Sequence, residues 1–101
     1  MNVNGKWVFH QGGVDVTFDL VQDQDGGLTG SGSWSGDSGT LETGGGGVFE
    51  NDIFFTVNWR SGAHGRYQGS RGPDRRLSGV TFDIAHPENQ ALWFTTQAIP
   101  D

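Results

Sequence analysis

Four tryptophans, Trp7, Trp34, Trp59 and Trp93, stand in a chain of 101 residues. Three of them carry polar neighbours: Ser33 beside Trp34, Asn58 beside Trp59, and Thr95 two positions after Trp93. A flat indole next to a hydrogen-bonding side chain is how proteins hold flat organic ligands or the apolar face of a sugar. Trp34, Trp59, Tyr67 and Trp93 are therefore read as an apolar ligand lining, with Thr56, Asn58 and Thr95 as orienting groups. Each tryptophan also has a plain reading as core filler, because few side chains bury as much area. Trp7 fits that role best, plugging one end of the fold beside the Gly12-Gly13 turn. Inward indoles would suit a small molecule, and outward ones a glycan.

Other chemistry is thinly represented. His10, His64 and His86 are separated by whole strands, so no pair has metal-ligand spacing, and neither metal nor cofactor is expected. His64 sits in Gly62-Ala63-His64-Gly65, where a turn role competes with acid or base work oriented by a neighbouring carboxylate. Asp15 and Asp19 on one strand lie about 14 Å apart at extended rise, too far for a glycosidase pair. Asp23, Asp25 and Gly26 lack the remaining oxygen ligands of a calcium loop. No nucleophile elbow, phosphate loop or dinucleotide fingerprint occurs. No catalytic residue is assigned, and a non-enzymatic role is the primary expectation. The enzyme alternative, a cofactor-free cyclase or isomerase, would need His64, Tyr67 or Asp83 to project inward.

A chain of this length with 33% hydrophobic residues supports one domain with one modest core, spanning residues 1–101. Glycine is abundant, at 18 residues, but without a Gly-X-Y period, and 12% aromatics argue against a disordered linker. The formal charge of −6 disfavours nucleic acid and anionic membrane surfaces as partners. Five of the six basic residues, Arg60, Arg66, Arg71, Arg75 and Arg76, crowd one stretch, read as a solvated strand edge or else an anion or partner site. The absence of cysteine leaves the compartment open. No apolar run approaches the length of a membrane span, and no leader is apparent.

The elements that must position these residues are strands. Val14, Val16, Phe18 and Leu20 alternate with polar residues, and Trp7 and Phe9 share one face of the preceding segment, so residues 4–22 form a hairpin around Gly12-Gly13. Leu28 to Trp34 alternates large side chains with Gly30 and Gly32, which either bend the sheet or leave ligand space. A short strand is expected near Thr40-Leu41-Glu42-Thr43, and the Gly44–Gly47 run reads as a connector or a lid. Strands follow over residues 52–60, 65–71, 77–84 and 91–97, with turns at 61–64, 72–74 and 86–89. Seven clear strands plus one more, all locally connected, predict an all-β antiparallel up-and-down meander barrel of about eight strands.

Several motifs together resemble the avidin and streptavidin family, of calycin type. They are Gly5-Lys6-Trp7 followed by Gly12, Leu28-Thr29-Gly30, Phe55-Thr56-Val57-Asn58-Trp59-Arg60, Tyr67-Gln68-Gly69 and Leu92-Trp93. The resemblance covers roughly residues 5–71 and implies a ligand-binding barrel in which Trp59 and Trp93 match the stacking tryptophans and Tyr67 a further lining position. It also implies homo-oligomer contacts through the later strands, to which Phe54 would contribute. Where the family places polar ligands for the ureido group, this chain has Phe9, Gly13 and Gly32, so biotin itself is not the expected ligand. The expected function is non-enzymatic binding of a small organic molecule. A carbohydrate-binding small lectin is the alternative.

Overall fold

Alternation of large apolar and small polar residues writes most of the strands, and the computed structural model, which describes residues 1–100, has no helix among them. The strands are β1 (Gly5–Gln11), β2 (Val14–Gln22), β3 (Leu28–Trp34), β4 (Asp37–Leu41), β5 (Gly47–Phe49), β6 (Asp52–Trp59), β7 (His64–Arg71), β8 (Arg76–Asp83) and β9 (His86–Ala98). All pairings are antiparallel. Strands β1 to β4 and β6 to β9 form a closed eight-stranded up-and-down barrel, sealed where β4 meets β6 and where β9 meets β1. The short β5 pairs with β6 farther along the β4 side, at Gly47↔Phe54 through Phe49↔Asp52.

The inward set follows the pleat. Val16, Phe18 and Leu20 of β2, Ile53, Phe55 and Val57 of β6, Tyr67 of β7 and Trp93 of β9 are all buried. Phe9 is the hub of this core. Its ring stacks on Trp93 at 4.2 Å and 7°, meets Phe18 edge-on at 4.9 Å, and lies 5.8 Å from Tyr67 and 6.0 Å from Phe55. Trp7 fills the far end, remote from Gly12-Gly13, and its indole Nε1 donates to the Val3 carbonyl at 2.9 Å.

Several expectations are corrected. Gly32 leaves no ligand space: a Cβ there would lie 2.5 Å from the Phe18 ring. Gly30 marks a close approach of strands, since its Cβ would meet the Asp19 carbonyl oxygen at 1.9 Å. The reversal between β8 and β9 is at Ile84-Ala85, and residues 86–89 belong to β9. The register shift between Phe82 and Asp83 places Pro87 in an irregularity, where its missing N–H costs no ladder bond. The Gly44–Gly47 segment is a connector and not a lid, because Leu28 N–H donates to the Gly46 carbonyl and Arg66 Nη1 to the Gly45 carbonyl. Arg66 is no solvated edge charge either; it also donates to Thr56 Oγ1 at 3.2 Å, with its guanidinium 5.1 Å from the centre of the Phe54 ring.

The β1–β9 seam has the shortest backbone register in the barrel. Backbone register there is limited to His10↔Phe94 and Gln11↔Trp93, after which the Gln97 carboxamide takes over. It accepts from Val8 N–H at 2.8 Å and donates to the Lys6 carbonyl at 3.0 Å, standing in for a missing peptide unit. Two net hydrogen bonds at about 1 kcal/mol each set the expected effect: Gln97→Ala lowers unfolding free energy by about 2 kcal/mol in urea denaturation. An unchanged midpoint would show that the seam closes without the side chain.

Candidate ligand-binding site

One end of the barrel gathers the ends of β1, β3, β6 and β8 and the starts of β2, β4, β7 and β9. Two adjoining recesses open there, both bordered by Gln11, Trp59, Ala63 and Tyr67. The smaller, about 270 Å³, is walled by Val14, Val16, Trp34 and Trp59 and carries Asp37 at its rim. The larger, about 460 Å³, adds His64, Thr81, Asp83, Asn89 and Gln90.

Register places the walls. Trp34 is the cross-strand partner of Asp37, and Trp59 is the partner of Gly39, so each pair shares one face of the wall, and Trp34, Asp37 and Trp59 together line the recess. Trp59 can occupy this position because Gly39 and Gly32 leave room: a Cβ at these glycines would lie 3.0 and 3.4 Å from its ring. Trp34 is 41% exposed, whereas Trp59 is half-buried and packs on Phe18 at 6.4 Å. Neither indole N–H of this pair has a hydrogen-bond partner among the described residues, leaving both as donors for a ligand.

The floor is closed. Tyr67 donates its phenol O–H to Gln11 Oε1 at 2.6 Å, bridging β7 to β1 across the lumen, and its ring stacks on Phe55 at 5.1 Å. Burial pushes the Tyr67 phenol up to about 12 from its ordinary value near 10. The sign follows directly: the folded state resists ionisation, so its stability is fully present below pH 10 and is lost as pH rises toward 12. The shift corresponds to about 3 kcal/mol. Because Tyr67 is the sole tyrosine, the rise in absorbance near 295 nm that accompanies phenol ionisation comes from it alone. Tyrosinate should appear with a midpoint about two units above that of a free phenol, and Tyr67→Phe should remove the fall in stability between pH 10 and 12. Ionisation near pH 10 in an intact fold would show that the phenol is solvent-accessible.

The expected site residues therefore separate into three places. Trp34, Trp59 and Tyr67 meet at the mouth. Thr56 and Asn58 lie on the outer wall, because alternation along β6 turns them away from Trp59; Thr56 is held by Arg66, and Asn58 Oδ1 by His64 Nδ1 at 2.7 Å. Trp93 and Thr95 are buried in the fold's own bonding: Trp93 Nε1 donates to the Val80 carbonyl at 3.0 Å, while Thr95 Oγ1 accepts from Leu77 N–H and donates to the Gln97 carbonyl. Sequence reasoning missed Gln11 and Asp37; the signal for Asp37 was its place opposite Trp34 across the Ser35-Gly36 turn. It also missed the outward pair Leu92 and Phe94, 78% and 52% exposed, which alternation around the inward Trp93 implies.

No cluster of histidines, cysteines or carboxylates suited to a metal ion occurs among the described residues, and no helix is long and apolar enough to cross a membrane. His64, Tyr67 and Asp83 border one recess, but a phenol held near 12 does not suit proton transfer at neutral pH. In comparison with known proteins, no family model, no curated sequence and no solved structure matches the chain.

Proposed function

We propose that this protein is a non-enzymatic binder of a small organic molecule, a barrel of the avidin and calycin kind whose ligand sits at the mouth. The observation that carries this reading is the pairing of an exposed Trp34 with a positioned Trp59 over a floor of Tyr67 and Gln11. Two indoles with free N–H groups offer stacking area and directed hydrogen bonds, while the packed core below confines a ligand to the rim. Biotin fits poorly, since Phe9 and Gly32 occupy places where polar ligands would be needed and both are enclosed by other side chains.

Titration of intrinsic tryptophan fluorescence and isothermal calorimetry with biotin and a panel of flat heterocycles tests the reading. Saturable binding by at least one heterocycle is expected, weakened tenfold or more by Trp34→Ala, as befits loss of one stacking partner. Phe49→Ala, 69% exposed at the opposite end, should leave the affinity unchanged. Uniform absence of heat across the panel would overturn the proposal. The lectin reading has one observation in its favour: Trp34 is accessible from outside and stands near Asp37, in the manner of a sugar platform. A glycan array decides between them.

A further inference from the structure

We infer that the mouth selects organic cations, with an alkylammonium or guanidinium group seated between the Trp34 indole and the Asp37 carboxylate. This rests on the mouth being the binding site and concerns what charge its ligand carries.

Trp34 and Asp37 are register partners across β3 and β4. Directly opposed Cβ atoms are about 5 Å apart, so a group resting on the indole face is also within reach of the carboxylate. Ring faces attract cations within about 6 Å of their centre, and the attraction grows when water is partly excluded. Trp59 supplies the second wall of the same recess and is fixed by its packing on Phe18. Asp37 Oδ1 is occupied by the backbone N–H of Ser38 at 2.8 Å, which orients the carboxylate and leaves Oδ2 to a ligand.

The charge around the mouth points the same way. Neither Lys nor Arg borders either recess; the charged side chains there are Asp37 and Asp83, with His64 engaged through Nδ1 by Asn58. Neither aspartate has an ion-pair partner among the described residues. Arg60, which follows Trp59 directly, borders a separate trough on the outer wall with Lys6. The chain's charge of −6 adds a long-range preference of the same sign. An anionic ligand would find only neutral donors, the two indole N–H groups, and would face the Asp37 and Asp83 carboxylates, whereas a cation would meet both a carboxylate and a ring face.

Three isosteric probes isolate the charge: choline, neutral 3,3-dimethylbutan-1-ol and anionic 3,3-dimethylbutanoate. At low ionic strength, calorimetry and tryptophan fluorescence should show choline binding at least tenfold more tightly than the alcohol, and no saturable binding of the anion. Asp37→Asn keeps an oxygen for the Ser38 N–H and should preserve the fold; it should cut the preference for choline over the alcohol at least fivefold while leaving the alcohol unchanged. Equal affinity of choline and alcohol, or binding of the anion, would overturn the inference. Failure of all three probes would overturn it as well; the heterocycle titration then separately decides whether the mouth binds ligands.

Discussion

Gly79→Ala should destabilise the protein by about 3 kcal/mol or more, at or above the upper end of what overpacking by one methyl group costs. A Cβ at this position would stand 1.9 Å from the Gln68 carbonyl oxygen and 2.5 Å from the Gly69 Cα. Both obstacles are backbone, so no side-chain rotation relieves them. Gly69 and Gly79 are register partners on β7 and β8, and the space they leave is used by Trp93, whose ring would lie 2.5 Å from a Cβ on Gly69. Relieving the clash at Gly79 therefore means separating two strands of a closed barrel, which also disturbs the seat of Trp93 beside Gly69. Chemical unfolding measures the loss, and near-ultraviolet circular dichroism reports whether the tryptophan environment changes. A Gly79→Ala variant as stable as the parent would mean that β7 and β8 tolerate a wider spacing at no cost.

Much of the fold is legible because alternation in β1, β2 and β6 is strict enough to mark an inside and an outside. The same rule reaches part of the site. Reading Trp59 as inward already puts Thr56 and Asn58 on the outer wall, and the structure holds them there with Arg66 and His64. What alternation cannot supply is depth along the barrel axis. Trp34, Trp59 and Trp93 all point inward, yet Trp34 and Trp59 reach the mouth while Trp93 is sealed beneath Phe9. The difference comes from where each strand begins relative to its neighbours, which is a property of the closed register. Thr95 was hidden for another reason. The register shift between Arg76 and Ser78 turns its hydroxyl into a partner for the Leu77 N–H, and an irregularity of this kind leaves no signature in hydropathy. Asp37 meets Trp34 within its own hairpin, but Asp37 and Gln11 come from separate hairpins and share a recess with Trp59 only in the closed barrel.

Phe9→Ala should cost about 4 kcal/mol, the range for truncating a fully buried ring, and so consume a large share of the stability of a domain this size. Phe9 is 0% exposed and its ring meets Phe18, Phe55, Tyr67 and Trp93. Removing it leaves a void walled by aromatic faces, of the kind that stays dry and admits benzene. Added benzene should then raise the melting temperature of Phe9→Ala through mass action, while leaving the parent unmoved. Should Phe9→Ala fail to fold, Phe9→Leu leaves a smaller void and carries the same test with a smaller loss. Equal stabilisation of the parent by benzene would mean that its interior is already open. That result would move the ligand from the rim to the lumen and return Trp93 to the site. With Phe9 in place, Trp93 cannot touch a ligand, because the face it would offer is covered at 4.2 Å by another ring. Phe9 thus does two things at once. It supplies the hub of the core, and it shifts the usable tryptophan surface to Trp34 and Trp59.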